Sequence, residues 1–233
     1  MRNGCAALLL LVSATACAAD VTFTYFDTKG RGEAVRVALD HSGTAWTDKR
    51  IAYPDYLEIK KSTNDEAWKS GLPVLSLDAE THLTQSLAML RYAGKQSSGG
   101  KEPLYPSDPK EALKVDEILD ICQDILTRSP NDDNADVKKA KREEYAAFKM
   151  KSYMSLIAQR AKSSSSGWVA GTKDISIADL HLFYSIFSLI RSGGFDYIDS
   201  KYFEQWPELV AVENKIANHD IIKSWQSKAK KEL

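Results

Sequence analysis

The stretch GLPVLSLDAETHLTQSLAMLRY, from Gly71 to Tyr92, decides the fold of the first half of this sequence. A β-rich run follows Pro73, and a short polar turn separates it from a second short strand. That strand leads directly into an apolar-periodic helix that starts near Ser86. Proline suits the first position of a strand, because its missing N–H costs least there. The pattern therefore predicts a β-hairpin that continues into a helix.

The same stretch offers two contacts to a ligand. The bond between Leu72 and Pro73 can be cis at a cost of only about 0.5–1 kcal/mol, and a cis bond would turn the polar backbone groups of Leu72 toward a peptide-like ligand. At the helix start, the Ser86 hydroxyl and the unpaired first-turn N–H groups would form an anion site. A plain hairpin with a helix-capping serine is the alternative, and it stays open because capping serines are common.

Length and composition are those of a soluble globular protein. The chain has 233 residues, enough for one large domain or two small ones, with 43% apolar and 27% charged residues. Lys and Arg number 31 and Asp and Glu number 32. Because no basic excess is present, we expect no nucleic-acid partner.

The N-terminal segment has the pattern of a secretory leader. Arg2 is followed by an apolar run from Leu8 to Val12 and by small residues up to Ala19. We predict a signal peptide over residues 1–19 and a protein in the secretory pathway or secreted. The apolar run is too short to span a membrane, which takes about 20 residues. A buried N-terminal helix is the alternative, and a protein without a cleaved leader would be cytoplasmic.

Cysteine content follows from that leader. Cys5 and Cys17 would leave with it, so Cys122 alone remains and no internal disulfide can form. Cys122 falls on the apolar period of a predicted helix, which indicates a buried thiol.

The first half of the chain alternates strands and helices. A strand over Val21–Phe26, a helix over Glu33–Asp40, a strand over Ala45–Ile51 and a short helix over Asp55–Lys60 precede the hairpin. Gly43 is placed to end the first helix. This order describes an α/β thioredoxin-like domain, which we predict over residues 20–97.

The second half is predicted to be all helical. A linker rich in Pro, Gly and Ser, residues 98–108, precedes a helical domain over residues 109–233. Its first helices are predicted over Lys110–Arg128 and Ala135–Lys162. The sequence Ser-Ile-Ala-Asp, from Ser176 to Asp179, has the spacing of a capping box. The apolar helix that follows, Leu182–Ile190, should be buried at the centre of the domain.

Three motifs together resemble the cytosolic-type glutathione transferases. Thr-Tyr-Phe-x-x-x-Gly-Arg-x-Glu begins at Thr24, and Leu-Pro-Val-Leu at Leu72 is followed by Gln85 and Ser86. The capping box at Ser176 is the third motif. The chain is most similar to the sigma class, a tyrosine-using class, and the resemblance extends to about Trp225. It implies a two-domain glutathione transferase fold, and a detoxification enzyme that conjugates glutathione to small hydrophobic electrophiles.

Conjugation of glutathione to an electrophile needs a stabilised thiolate, because a thiol with a pKa of about 8.5 is mostly protonated at neutral pH. Tyr25 ends the first strand near the first helix, and its hydroxyl can donate a hydrogen bond to a thiolate. Arg31 adds a full positive charge nearby. The alternative for Tyr25 is an edge-strand aromatic residue, and Thr28 offers the competing hydroxyl of this loop.

The rest of the expected glutathione site combines shape with resemblance. Leu72, presented by Pro73, would pair with the cysteinyl part of the tripeptide. Gln85 and Ser86 would hold the γ-glutamyl end. By resemblance alone, Tyr56 and Lys60 reach the glycyl carboxylate, and Asp116 reaches the glutathione of a neighbouring subunit, which implies a homodimer.

The electrophile would lie in a pocket between the domains. By resemblance, we expect this pocket to be lined by Phe26, Tyr105, Cys122 and the first two helices of the second domain. We expect no metal. Two other functions stay open: a non-catalytic glutathione- or ligand-binding protein on the same fold, and a glutathione-dependent isomerase of the prostaglandin D synthase type.

Overall fold

The first half of the protein is built on a four-stranded sheet. The computed structural model describes residues 21–229, so the predicted leader, residues 1–19, lies outside the described residues. The strand order is β2-β1-β3-β4, with β1 parallel to β2 and antiparallel to β3. The strands are β1 (Val21–Phe26), β2 (Trp46–Ile51), β3 (Val74–Ser76) and β4 (His82–Leu83).

Four helices belong to this half: α1 (Glu33–Ser42), α2 (Tyr53–Ser62), α3 (Glu66–Ser70) and α4 (Ser86–Lys95). The predicted βαβ unit, hairpin and final helix are confirmed. Gly43 ends α1 in a left-handed conformation, φ 70°, as predicted. Helix α3 was not predicted, because its five residues are too few to show a period. Asp65 caps it by accepting a hydrogen bond from the Ala67 N–H at 2.8 Å.

The second half is helical throughout its regular structure. Its first part contains α5 (Pro109–Thr127), α6 (Ala135–Tyr145), a π-helical segment (Ala146–Met150) and α7 (Lys151–Ser163). Its second part contains α8 (Ile177–His181), a π-helical segment (Leu182–Phe187), α9 (Ser188–Arg191), a 3₁₀ turn (Tyr202–Gln205), α10 (Pro207–Ala217) and α11 (Asp220–Ala229). The predicted long helices are thus confirmed: α5 is uninterrupted, whereas the other two contain π-helical segments that apolar periodicity does not reveal. Within residues 21–229, no helix is long and apolar enough to cross a membrane.

The two halves contact each other through the connection over residues 96–108 and through α8. The Tyr105 N–H donates to the Gly94 carbonyl, and the Ile177 N–H donates to the Leu104 carbonyl, both at 2.9 Å. A Cβ on Gly94 would lie 2.6 Å from the Ile177 side chain, so α4 and α8 approach as closely as glycine allows. The connection is therefore fixed between the halves.

The last helix returns to the first. The Trp225 indole N–H donates to Glu33 at 2.8 Å, and its ring stacks on Trp46. Lys228 pairs with Asp40 at 2.6 Å. Helix α11 thereby packs against α1 across the boundary between the halves.

Candidate active site

Tyr25 lies at the end of β1, above the loop that leads to α1. Its ring covers two glycines: a Cβ on Gly32 would lie 2.4 Å from Tyr25 Cδ1, and a Cβ on Gly30 would lie 2.9 Å from the hydroxyl. The glycines are needed because any side chain there would displace the ring. Among the residues that the structure describes, none forms a hydrogen bond with the Tyr25 hydroxyl.

Arg36 holds this loop in place through hydrogen bonds to its backbone. Its role was not predicted from the sequence. Its guanidinium is fully buried and lies 5.6 Å from the centre of the Tyr25 ring, within cation–π range. It donates to the carbonyls of Phe26 at 3.0 Å and Thr28 at 2.8 Å, and to the Asp48 carboxylate at 3.0 Å. An arginine within the apolar run of α1 was the available signal, because a charge is rarely buried without partners.

A narrow cleft of about 190 Å³ lies beside the hairpin. Five residues proposed for glutathione line it: Arg31, Leu72, Pro73, Gln85 and Ser86. The Leu72–Pro73 bond is cis. Sequence reasoning missed five further lining residues, Ser70, Gly71, Thr84, Leu87 and Gln123. Gln123 comes from α5 in the other half of the chain, so no local pattern could have placed it here.

The start of α4 forms one end of this cleft. Gln85 is the N-cap residue, with φ 78° and ψ 100°, and its side chain does not cap the helix. Ser86 is the first helical residue, so the alternative of a capping serine at this position is wrong. The first-turn N–H groups thus lack a side-chain cap from the N-cap residue, and the positive end of the helix dipole points at the cleft.

A second cavity, of about 430 Å³, adjoins the cleft at Arg31. One wall comes from the first half of the chain and includes Tyr25, Lys29 and Gly30. The opposite wall comes from the helices of the second half and is formed by Leu126, Tyr184, Ser185, Ser188, Leu189 and Ser192. The predicted pocket between the two halves is present, but its walls differ from those expected.

Phe26, Tyr105 and Cys122 are not lining residues of this cavity, so that expectation is wrong. Successive strand residues point to opposite faces, and Phe26 therefore turns away from Tyr25's cavity and packs against α2. The Tyr105 hydroxyl donates to Asp116 at 2.9 Å. Cys122 is buried, as predicted, and burial raises the pKa of its thiol.

His181 lies behind the helical wall. Its Nδ1 is 3.0 Å from the Ser185 hydroxyl, and its Nε2 has no partner among the described residues. Burial lowers the pKa of His181 to about 4, and the charges of Arg31 and Arg91 act in the same direction. The imidazole is therefore neutral near pH 7. The neighbouring Tyr184 hydroxyl is also buried without a partner in the described part of the chain.

Tyr56 and Lys60 lie on α2, outside the lining of the narrow cleft. The Tyr56 hydroxyl donates to the Trp68 carbonyl at 3.1 Å and so joins α2 to α3. Lys60 is exposed, with Nζ 6.0 Å from the centre of the Tyr56 ring. Their assignment to the glycyl carboxylate rests on resemblance alone.

Asp116 projects from α5 and is held within its own chain. Arg91 Nε donates to it at 2.7 Å and the Tyr105 hydroxyl at 2.9 Å. Burial and the bond to Asp116 raise the pKa of Tyr105. The Asp116 side chain is 31% exposed, so one side of it faces solvent. Within residues 21–229, no cluster of His, Cys, Asp and Glu could hold a metal ion.

Comparison with known proteins agrees with this architecture. A family model described as "Glutathione S-transferase, C-terminal domain" matches residues 120–229. Glutathione S-transferase 1 of Ascaris suum is 35% identical over 104 residues, and human hematopoietic prostaglandin D synthase is 32% identical over 107. These two matches cover 44% and 46% of the chain, and 45% and 49% of the relatives, so the chain spans about half the length of each.

Longer matches have lower identity. S-crystallin SL11 of Nototodarus sloanii is 23% identical over 212 residues, which is 89% of this chain and 95% of that protein. The structure of a prostaglandin D synthase from Nilaparvata lugens has a TM-score of 0.72 at 23% identity and covers 90% of this chain and 98% of that one.

The fold is that of a glutathione transferase: a thioredoxin-like α/β half followed by an all-helical half. The helical half matches the glutathione S-transferase C-terminal domain family, and the chain as a whole is similar to cytosolic-type glutathione transferases.

Proposed function

We propose that this protein binds glutathione in the narrow cleft and transfers its thiolate to a small hydrophobic electrophile in the adjoining cavity. One observation carries the proposal: Tyr25, whose hydroxyl has no hydrogen-bond partner in the described chain, lines the cavity that adjoins the cleft at Arg31. A free donor on this cavity wall can stabilise a thiolate that reaches from the cleft into the cavity.

The cleft fits the rest of the tripeptide. The uncapped N-terminus of α4, with Gln85 and Ser86, favours the carboxylate of the γ-glutamyl end. Leu72 offers a peptide backbone to the cysteinyl part, and Arg31 supplies positive charge between both spaces. Glutathione bound this way would direct its sulfur toward Tyr25.

Two measurements test the proposal together. Retention of the protein on immobilised glutathione reports binding, and conjugation of 1-chloro-2,4-dinitrobenzene reports turnover. We expect both. Retention without turnover would favour the non-catalytic binding protein, and loss of both would remove glutathione from the function.

The isomerase is the second candidate, supported by the 32% identity to human hematopoietic prostaglandin D synthase over 107 residues. Its test is prostaglandin D formation in the presence of glutathione. Isomerisation that is faster than aryl conjugation would make the isomerase the main function.

We also propose a homodimer. Asp116 and Leu113 lie about one turn apart on α5, and the Leu113 side chain is 69% exposed. An exposed leucine beside a half-exposed carboxylate suits a subunit contact better than bulk water. Sedimentation equilibrium should give twice the monomer mass, and Leu113→Glu should shift it toward the monomer. A monomer at micromolar concentration in the unaltered protein would contradict this.

Secretion stays a proposal that rests on the sequence pattern of residues 1–19. N-terminal sequencing of protein from its native source should begin near Ala19 or Asp20. Soluble protein that begins at Met1 or Arg2 would exclude cleavage.

A further inference from the structure

Among the described residues near Tyr25, the acidic side chains form ion pairs, whereas two basic side chains do not. The acids around its loop all have cationic partners: Asp27 pairs with Arg50 at 2.6 Å, and Asp48 pairs with both Arg36 at 3.0 Å and Arg50 at 2.9 Å. Glu33 lies 3.4 Å from Arg36 and also accepts a hydrogen bond from the Trp225 indole. Arginines from α1 and β2 thus neutralise these carboxylates.

The two cations of the same loop, Lys29 and Arg31, are not paired. Neither has a carboxylate within 4.0 Å in the part of the chain that the structure describes. Arg31 lines both the narrow cleft and the second cavity, so its charge is shared with the proposed glutathione site. Lys29 lines the second cavity, where its charge has nothing in the described chain to neutralise it.

The position of Lys29 is fixed by its backbone. Its carbonyl accepts hydrogen bonds from the N–H groups of Gly32 at 3.1 Å and Glu33 at 2.9 Å, in the turn that begins α1. The side chain therefore starts from a defined point at the cavity wall, and its flexible stem lets the ammonium group reach a ligand at the rim.

The rest of the cavity combines apolar and hydroxyl surface. Leu126 and Leu189 supply the apolar part. Hydroxyls come from Tyr184, Ser185, Ser188 and Ser192. Its lining includes no carboxylate among the described residues. A concave site with unpaired positive charge concentrates anions.

We propose that the electrophile of this protein is an amphiphile that carries a carboxylate, and that Lys29 selects it by binding that carboxylate at the cavity rim. This inference rests on the proposed transferase function and specifies its substrate class. Lys29 contributes to substrate binding and takes no part in the chemical step. In that step the thiolate sulfur forms a bond to the electrophilic carbon and the leaving group departs with the electron pair. The carboxylate of the substrate stays unchanged.

The experiment compares one electrophile in two charge states, 4-chloro-3,5-dinitrobenzoate and its methyl ester. In both, a C–S bond forms at the ring carbon and chloride leaves. Lys29→Gln should lower kcat/KM for the acid about fivefold, the upper range for an exposed ion pair, mainly through KM. The ester should change less than about twofold. Lys29→Glu should lower the acid's value about 25-fold, because it replaces attraction with repulsion.

The control is Lys223→Gln, which removes the same charge from the exposed face of α11 and should leave both electrophiles unaffected. Raising the ionic strength should also reduce the preference of the unaltered protein for the acid. The KM for glutathione should not change in Lys29→Gln. A raised KM for glutathione, or equal changes for acid and ester, would overturn the assignment of Lys29.

Carboxylate selection by Lys29 can be tested even if the protein has no transferase activity. If the unaltered protein conjugates neither electrophile, the Kd values of the acid and the ester, measured by calorimetry, still test Lys29. Tighter binding of the acid that is lost in Lys29→Gln would support carboxylate selection. Equal Kd values would overturn it.

Discussion

The N-termini of helices α8 and α4 differ in how their backbone N–H groups are capped. At α8, Asp179 is fully buried and accepts hydrogen bonds from the Ser176 N–H at 2.9 Å, the Ser176 hydroxyl at 2.8 Å and the Val169 N–H at 3.1 Å. At α4, the N-cap residue Gln85 contributes no side-chain cap, and Ser86 faces a cleft. The first terminus is completed by its own chain, whereas the second has no side-chain cap from Gln85 and opens onto a cleft.

This difference in capping distinguishes a serine that stabilises a helix start from one that is available for ligand binding. Both Ser176 and Ser86 stand at helix starts, but only Ser176 takes part in a capping box. Mutations at the two termini should therefore affect different quantities: the free energy of unfolding at α8, and glutathione affinity or turnover around α4.

Asp179→Ala should have the largest effect. It leaves two N–H groups and a hydroxyl buried without their acceptor, so the free energy of unfolding should fall by about 3 kcal/mol or more. Glutathione affinity of the folded fraction should barely change. Denaturant midpoints measure the effect, and Asp174→Ala, an exposed carboxylate nearby, is the control with an expected loss under about 1 kcal/mol. Coincident midpoints for Asp179→Ala and the unaltered protein would contradict the structural role.

His181 should make stability fall in acid. Its folded pKa of about 4 lies below the ordinary value of 6.5. The unfolded chain therefore takes up a proton below pH 6.5 while the folded chain does not. The stabilisation is complete above pH 6.5 and is lost as the pH falls toward 4, up to about 3 kcal/mol.

Urea unfolding at several pH values measures that slope. His181→Phe should flatten it, even if its stability at pH 7 is lower. His219→Asn serves as the control, because His219 is half-exposed and pairs with Asp174 at 3.2 Å. An unchanged slope in His181→Phe would assign the acid sensitivity to other groups.

Tyr25→Phe tests the proposed hydrogen-bond donor in the cavity that adjoins the cleft. Loss of a hydrogen bond to a thiolate costs about 1.5–3 kcal/mol, so the pKa of the bound thiol should rise by roughly one to two units. Turnover near neutral pH should fall about tenfold or more, with little change in glutathione affinity. The thiolate absorbance of bound glutathione, titrated against pH, measures the shift. Tyr53→Phe, an exposed tyrosine, is the control; an unchanged titration and turnover in Tyr25→Phe would make Tyr25 structural.

Ser86→Ala should have the smallest effect and gives the direct contrast with α8. Because Ser86 is not a cap, the free energy of unfolding should change by less than about 0.5 kcal/mol. Glutathione should bind roughly five- to tenfold more weakly, since its anionic end loses a hydrogen bond. Calorimetry measures both the affinity and the stability.

A true cap supplies the control for Ser86→Ala. Asp108 accepts hydrogen bonds from the N–H groups of Lys110 and Glu111 at the start of α5. Asp108→Ala should therefore cost about 1 kcal/mol of stability and leave affinity unchanged. The same pattern in Ser86→Ala would remove the contrast between the two termini.

The sequence predicts what local patterns determine. The hairpin, the capping box and the glycine that ends α1 each depend on residues within a few positions of one another, and the structure has all of them. Leu72, Pro73, Gln85 and Ser86, which line the cleft from the hairpin and the start of α4, were predicted for the same reason.

What the sequence does not predict comes from distant segments or from the choice of a face. Gln123 and Leu126 reach the site from α5, about 100 positions after Tyr25. The expectation that Phe26 lines the cavity together with Tyr25 conflicts with strand alternation, which sends neighbours to opposite faces. Arg36 was overlooked because its partners, two carbonyls and Asp48, converge only in three dimensions.

The contact between Trp225 and Glu33 has a consequence for synthesis of the chain. The two residues are 192 positions apart, and Glu33 is buried with the indole as one of its partners. At about 5–20 residues per second, a ribosome adds the intervening residues in roughly 10–40 s. For that time the first helix exists without its last neighbour, and its carboxylate is open to water. The N-terminal half, although made first, is therefore among the last parts of the molecule to be completed.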